Sequence, residues 1–442
     1  MFWMKTYKIR TFGCQMNERD SERMAALLEG MGYIPSGPDD EADVVLINTC
    51  SVRAKPEHKV YSELGRYKEI KRRKKDMVLV VAGCVAQQEG TELLRLVPHL
   101  DIVLGTRSIY RLPELVASVL RNGERACAVD MDASPQTNLF GAERSRPRSP
   151  TAFVVAMIGC SNWCAYCVVP RLRGPAVSRP LEEILDEVRD ITGRGVREVT
   201  LLGQNVNIYG NDFGQPGLDF PRLLKMVSDI DGIERVRFVT SHPRDFSDRL
   251  IEEMATNRKV CEYLHLPAQA GSDKILRLMN RGYTRDQYLN LVRRIRDAIP
   301  HIALTADFIV GFPGESEDDF KQTLDLVREA RYHNIYSFRY SVRHGTAAEQ
   351  MKPDVPVEKR AERLSILQNL QDEITERIMK SYEGTLREVL LEGPSKTDPG
   401  RTTGRTRCNM PAHVPGVLSP GKVVTIRVTR ALRHSLEGEV VS

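Results

Sequence analysis

Six of the nine cysteines in this 442-residue chain fall where thiols can do chemistry together. Cys160, Cys164 and Cys167 lie in Gly159-Cys160-Ser161-Asn162-Trp163-Cys164-Ala165-Tyr166-Cys167, directly after the apolar, strand-like run 152–158. Thiols at this C-x3-C-x2-C spacing can each hold one iron of a cubane cluster, leaving the fourth iron open to a small ligand. A zinc site or structural cysteines are the alternatives. Zinc usually takes four closed ligands in pairs such as C-x2-C, and disulfides are rare in a reducing compartment. The cluster accounts better for the spacing.

Cys14, Cys50 and Cys84 are far apart in sequence but share a context. Each comes one or two residues after a strand pattern (7–12, 43–48, 77–82) and just before a helical one (17–31, 55–75, 88–94). A further strand at 101–104 and helix at 112–122 complete the alternation of a doubly wound parallel sheet, whose ligands sit at the carboxyl ends of its strands. Three loops at one sheet edge would bring these thiols together, beside helix N-termini that favour thiolates and an anionic cluster. The alternative is coincidence of small residues in turns; a second cluster is the sharper reading. Cys127, Cys261 and Cys408 have no motif partners and read as packed residues.

The chain is too long for one core and should divide into two or three domains. No run of about 18 apolar residues is present, so no membrane span is expected. The start, Met1-Phe2-Trp3-Met4-Lys5, lacks the apolar core of a signal peptide, which points to the cytoplasm. Net charge is +5, and the stretch 380–442 carries ten Lys and Arg against six Asp and Glu. Most of the excess therefore lies in the tail, as expected of a module that meets a polyanion. Residues 132–150, rich in Pro, Ser and Arg without periodicity, read as a linker between a domain at 1–131 and one at 151–380.

From Thr151 six strand patterns (152–158, 198–202, 235–240, 262–266, 303–310, 335–340) alternate with helices, among them 181–192, 247–256, 285–298, 317–330 and 357–379. This is the pattern of an incomplete TIM-type (β/α)6 barrel, whose chemistry belongs at the strands' carboxyl ends. The segments Gly203-Gln204-Asn205, His265 to Gln269, and Gly311 to Glu315 all follow strands. Glycines let backbone approach a ligand, and amides offer hydrogen bonds to a base or ribose, so Gly203, Gln204, Asn205, Gln269, Gly311 and Glu315 are cofactor-binding candidates. Each taken singly reads as a turn; together at one mouth they make a pocket.

After residue 380 the texture becomes short strands at 386–391, 401–407, 416–418, 422–429 and 435–440, the pattern of a small antiparallel barrel over 381–442. Arg401, Arg405, Arg407, Arg427, Arg430 and Arg433 decorate it, and phosphate backbones are their natural partner.

The central triplet, with Tyr166 just before the last cysteine, resembles the radical S-adenosylmethionine (SAM) superfamily. With Cys14, Cys50 and Cys84 upstream and a basic barrel at the end, nearly the whole chain resembles the methylthiotransferase family; further matches are Ser178-Arg179-Pro180, Leu264-His265-Leu266-Pro267, Gly311-Phe312-Pro313-Gly314-Glu315 and Gly404-Arg405-Thr406. Leu201 to Asn207 and Cys167-Val168-Val169-Pro170 resemble its tRNA-acting branch. Ala270 stands where the family usually has Ser, and Val342 and His344 where it has Pro; these touch only local detail of the pocket.

The resemblance implies SAM on the open iron of a 4Fe-4S cluster at Cys160, Cys164 and Cys167, cleaved to a 5'-deoxyadenosyl radical with Tyr166 lining the site. It implies an auxiliary 4Fe-4S cluster at Cys14, Cys50 and Cys84 that carries sulfur, with two SAM used per turnover. The expected reaction adds a methylthio group to C2 of N6-isopentenyladenosine beside the anticodon, with the terminal RNA-binding TRAM barrel (Arg401, Arg405, Arg407, Arg430) holding phosphates. Other expected partners are an electron donor such as flavodoxin or ferredoxin and a sulfur or iron-sulfur carrier, with the chain a monomer and no catalytic side chains beyond the cluster ligands. The rivals are a methylthiotransferase acting on threonylcarbamoyladenosine or a ribosomal protein aspartate, a non-enzymatic iron-sulfur RNA-binding protein, and a radical SAM protein with one cluster.

Overall fold

Val44-Val45-Leu46-Ile47 and Val78-Leu79-Val80-Val81 are apolar at every position, which suits strands buried on both faces. The computed structural model describes residues 5–38, 41–51, 54–131, 139–141 and 149–441. It places both runs at the centre of a parallel sheet ordered β2-β1-β3-β4-β5-β6. The strands are β1 (Thr6–Phe12), β2 (Ile34–Pro35), β3 (Val44–Thr49), β4 (Val78–Gly83), β5 (Ile102–Leu104) and β6 (Ala126–Ala128). Period-2 alternation sends Val44, Leu46, Val78 and Val80 to one core and Val45, Ile47, Leu79 and Val81 to the other. The first core is covered by helices α1 (Gln15–Gly30) and α5 (Leu112–Asn122), the second by α2 (Ala54–Arg73), α3 (Cys84–Glu89) and α4 (Thr91–Leu96).

The expected doubly wound sheet is present, with two differences. The short edge strands β2 and β6 carry too few residues for a periodic signal. The single helix expected at 88–94 is two, broken at Gly90, whose φ of +53° lies in the region that suits glycine. Of the expected linker, residues 132–138 and 142–148 lie outside the described residues.

Two compact units emerge. The first comprises residues 1–146 together with 158–162 and 167–179; the second comprises 147–157, 163–166 and 180–442. The short strands β8 (Met157–Ile158) and β9 (Val177–Ser178) follow β7 (Thr151–Val155), with helix α6 (Val169–Arg173) between them.

In the second unit β7, β10 (Glu198–Leu202) and β11 (Arg235–Phe238) form one parallel sheet, and β12 (Tyr263–His265), β13 (Ala303–Val310) and β14 (Asn334–Arg339) another. A parallel bridge from Val236 to Val260 carries the first sheet toward the second. The six strands expected from the alternation are present, as an arc of two three-stranded parallel sheets. Its helices start on clear signals: Asp219 caps 220–228 through Arg222 N, while Thr284 with Gln287 and Ser316 with Asp319 make capping boxes.

The last strands, β15 (Leu386–Pro394), β16 (Arg401–Thr406), β17 (Pro411–Pro415), β18 (Val423–Leu432) and β19 (Ser435–Val440), close into a barrel. The third strand lies at 411–415, not at 416–418; the prolines at both of its ends interrupt the pattern a strand would show. The barrel is not wholly antiparallel, because β17 and β19 pair in parallel at Ala412–Leu436 and His413–Glu437. Its core of Val389, Leu391, Val414, Ile426, Val428 and Leu436 continues into Met379 and Tyr382 at the end of the helix Val357–Lys380.

Candidate metal centre and cofactor pocket

Sheet order places the switch point of the first sheet between β1 and β3, where doubly wound sheets bind ligands. Cys14 follows β1 as the N-cap of α1, Cys50 follows β3 directly, and Cys84 opens α3 after β4. The three thiols meet, with Cys50 hydrogen-bonded to both Cys14 and Cys84. Hydrogen bonding with Cys50 and the charge of Arg173 outweigh burial and lower Cys14 to about 6 and Cys84 to about 7. The same two thiols, with desolvation, push Cys50 strongly up. Cys50 and Cys84 are buried and Cys14 is exposed, so the site opens on the Cys14 side.

Two positions beside the thiols have room only for glycine. A Cβ on Gly13 would stand 2.4 Å from Asn17 Oδ1 and 2.9 Å from Cys50 Cβ, and one on Gly83 would stand 2.5 Å from the Thr49 carbonyl. Asn17 cannot yield, because its Nδ2 donates to Asn48 Oδ1 and the Thr49 carbonyl, both at 3.2 Å. Among the described residues no three Cys, His, Asp or Glu side chains close round one point as a single ion requires. A cubane takes each thiolate on a different iron. Three soft donors, two with lowered pKa values, in a tight and one-sided cradle fit an iron-sulfur cluster.

Of the central triplet, Cys160 and Cys167 belong to the first unit and Cys164 to the second. Gly159, at φ +79°, passes so close to the Pro175 carbonyl that a Cβ would lie 2.0 Å from it. Cys160 N donates to the Gly174 carbonyl at 3.1 Å, and Ala176 N to Ser161 Oγ at 3.2 Å. These bonds stitch the Cys160 loop to the segment after α6.

In the second unit three consecutive residues grip the other part of the loop. Ala165 N donates to the Met279 carbonyl at 2.9 Å, Asn280 Nδ2 to the Trp163 carbonyl at 2.7 Å, and Arg281 Nη1 to Cys164 Sγ at 3.3 Å. Asn280 turns the chain at φ +56°, a conformation Asn tolerates. The charge of buried Arg281 also reaches His242, which desolvation first and that charge second lower to about 3. His242 is therefore neutral, with Nδ1 accepting from Arg244 N at 3.3 Å.

Around it the loops after β10 and β11 interlock. Asn205 Nδ2 donates to Asp245 Oδ2 at 2.8 Å, Asn207 Nδ2 to the His242 carbonyl at 2.9 Å, and His242 N to Asn207 Oδ1 at 3.0 Å. Three buried polar atoms here, Asn205 Oδ1, Ser241 Oγ and His242 Nε2, have no partner among the described residues. Orphaned acceptors and donors at strand ends, joined through Arg281 to Cys164, fit a polar cofactor such as SAM.

The other expected residues are placed as follows. Tyr166 is half-buried against the core that holds Ala165, Ala270 and Phe312. Gly203 packs where a Cβ would be 2.6 Å from Met157, and Gln204 follows it half-exposed. Gln269 takes φ +73° and bridges to Phe308. Gly311 and Glu315 face protein: Arg360 fills the space where a Gly311 side chain would go, and Glu315 Oε2 takes Gly311 N at 2.6 Å and Arg363 Nη1 at 2.7 Å. Both thus meet the helix 357–380, while Glu315 Oε1 is buried with no partner among the described residues.

Of the terminal arginines, Arg401 pairs with Glu437 at 2.7 Å and Arg405 with Glu392 at 3.2 Å. Arg407 chelates Glu262 and bonds the Val260 carbonyl on the central arc. Arg235 and Arg237 complete that junction, bonding Glu388 and the carbonyls of residues 405–407. Arg430 is exposed, with no acid in pairing distance among the described residues. Arg173, Arg281, Tyr283 and His242 went unremarked in the sequence, since an isolated Arg or His offers no spacing signal.

A profile of the radical SAM superfamily matches residues 154–327, one of uncharacterized protein family UPF0004 matches 6–105, and one of the TRAM domain matches 380–441. The chain is 47% identical over 441 residues to tRNA-2-methylthio-N(6)-dimethylallyladenosine synthase of Carboxydothermus hydrogenoformans, covering 99% of each chain. It is 48% identical to the protein of the same name from Geotalea uraniireducens, again covering 99% of each. Among solved structures, the radical SAM methyltransferase TsrM of Kitasatospora setae aligns over 91% of this chain and 81% of its own at TM-score 0.57 and 14% identity, a likeness of fold. No helix among the described residues is long and apolar enough to cross a membrane.

Proposed function

Because the chain belongs to the tRNA-2-methylthio-N(6)-dimethylallyladenosine synthase family, within the radical SAM superfamily, we propose that it transfers a methylthio group to C2 of N6-dimethylallyladenosine (isopentenyladenosine) beside a tRNA anticodon. The observation that carries the reading is the meeting of Cys14, Cys50 and Cys84 at the switch point of a sheet separate from the one that precedes the Cys160 loop. A radical enzyme that only cleaves SAM has no need of that second thiol set. When bound, SAM on a 4Fe-4S cluster would supply the one-electron chemistry that the inert C2–H bond requires, and an auxiliary cluster would supply sulfur.

The chain's own residues bind and orient. Cys160, Cys164 and Cys167 would hold the first cluster and Cys14, Cys50 and Cys84 the second. Arg281 fixes the Cys164 thiol, while Asn205, Ser241 and neutral His242 offer hydrogen bonds to the cofactor. The target base must leave the anticodon loop's stack to reach the strand ends, and the terminal barrel holds phosphates without reading sequence.

The test is anaerobic reconstitution with iron, sulfide, reductant, SAM and an isopentenylated anticodon stem-loop, followed by mass analysis of nucleosides. The methylthiolated nucleoside together with 5'-deoxyadenosine is expected. Cys14→Ala should abolish thiolation and leave reductive SAM cleavage. Loss of both activities in Cys14→Ala removes the division of labour, and deoxyadenosine without the product sends the substrate to threonylcarbamoyladenosine or a protein side chain.

A further inference from the structure

Arg173 ends α6, the short helix that follows Cys167, and its side chain is buried in the first unit. Nη2 donates to Asp20 Oδ2 at 2.7 Å, with the two side chains only 5% and 12% exposed. Asp20 belongs to α1, the helix capped by Cys14. Burial works against the guanidinium's charge, and Asp20, Cys84 and Cys14 together outweigh burial.

The placement is built, not incidental. Val168 and Leu172 pack on Cys84 in one small buried cluster. Thr106 Oγ1 donates to the Leu172 carbonyl and Arg107 Nε to the Arg173 carbonyl at 3.1 Å. Gly174, at φ +79°, lets the chain pass where a Cβ would lie 2.4 Å from Arg107 Nη2. A buried pair of one cation and one anion contributes little net stability by itself. Here one cation is bonded to Asp20 and lies within electrostatic reach of Cys84 and Cys14, so its natural complement is a further negative charge.

A cubane held by three thiolates is net anionic, and taking up one electron adds a negative charge. A fixed cation in a low-dielectric site favours the reduced form, and a fixed anion opposes it. Resting on the reading of Cys14, Cys50 and Cys84 as cluster ligands, we propose that Arg173, carried on the peptide that leaves Cys167, is the positioning residue that sets the reduction potential of the auxiliary cluster. Asp20 orients the guanidinium and moderates its effect.

The experiment uses the full-length chain with Cys160→Ala, Cys164→Ala and Cys167→Ala, reconstituted so that only the auxiliary cluster is present. Sodium dithionite is titrated in anaerobically, and the one-electron-reduced cluster is counted by paramagnetic resonance. Arg173→Gln is expected to shift the reduction equilibrium at least tenfold toward the oxidised form, about 59 mV for one electron. Arg173→Lys, which keeps the charge, should restore at least half of that shift, and Asp20→Asn should move the midpoint the opposite way. An unmoved midpoint in iron-replete Arg173→Gln overturns the proposal. If Arg173→Gln cannot hold its iron, Asp20→Asn decides: an upward shift supports it and no shift overturns it. Absence of a four-iron cluster in the parent is a different failure, one that overturns the cluster reading before any Arg173 variant is made.

Discussion

The guanidinium of Arg281 donates to the thiol of Cys164 at 3.3 Å while its other nitrogens hold the Pro267 carbonyl at 2.9 Å and Tyr283 Oη at 3.0 Å. All three bonds leave one planar fork, so the position of the sulfur is tied to the loop after β12. A hydrogen bond to a charged group contributes about 1.5–3 kcal/mol. Arg281→Gln is therefore expected to slow reductive SAM cleavage about tenfold or more while the chain keeps its iron. Deoxyadenosine formed per cluster measures this, and a normal rate at full iron content would remove Arg281 from the site.

Gly13 is a second point of fine tolerance. Its missing side chain makes room for Asn17 and Cys50, and Asn17 is locked by its bonds to β3. Overpacking of this kind costs about 1–3 kcal/mol. Gly13→Ala is expected to lose the auxiliary cluster alone, so that iron per chain falls by half while deoxyadenosine production persists. Iron analysis of the reconstituted variant checks it; a full complement of iron would show that the cradle is looser than the geometry requires.

These two residues mark where the sequence stops being readable. Continuous apolar runs such as Val78 to Val81 announced central strands, and the central cysteine spacing announced its chemistry, because both are local patterns. Arg281 meets Cys164 across 117 residues and Arg173 meets Asp20 across 153. Nothing in the chain near Arg281 or Arg173 distinguishes it from a surface arginine. Proline misled in the same way: Pro411-Ala412-His413-Val414-Pro415 reads as a loop until the barrel closes around it. Gly311 and Glu315, expected at the pocket by their place after a strand, also meet Arg360 and Arg363 of a helix some 48 residues further on, a contact no local pattern announces.

The terminal barrel's arginines divide by what they already hold. Arg407 is committed to Glu262 and the Val260 carbonyl, whereas Arg430 projects into solvent. Each phosphate contact contributes about one unit to the salt slope of nucleic-acid affinity. Arg430→Ala should lower that slope for a tRNA stem-loop by about one, measured by filter binding over a salt series. Arg407→Ala should leave the slope alone and instead expose the junction between barrel and arc to limited proteolysis. The reverse pattern would mean that Arg407 leaves Glu262 when RNA arrives.

His333 makes stability depend on pH. Burial first, then the charges of Arg296 and Arg387, lower it from 6.5 to about 4; its Nε2 meets Tyr382 Oη at 3.1 Å, while Nδ1 is buried without a partner among the described residues. The unfolded chain takes up the proton before the folded one does. Stability is thus full above about 6.5 and falls as pH drops toward about 4, by up to about 3 kcal/mol before solvent screening. His333→Gln lacks this titration, so its thermal midpoint should fall less between pH 7 and pH 4.5 than the parent's. Parallel pH profiles would contradict the assignment.

The first unit is assembled from pieces that are not consecutive: it takes in 158–162 and 167–179 as well as everything before 147. On the ribosome, Asp20, Thr106 and the face of Cys84 must therefore wait until Arg173 and Leu172 have been synthesised. A gene cut in the stretch 132–150, where the composition invites a boundary, would yield a fragment whose thiol cradle lacks its lid and its counter-charge. The chain's modules can be told apart by eye, but they cannot be exchanged between relatives there without carrying the Cys160–Arg179 peptide along.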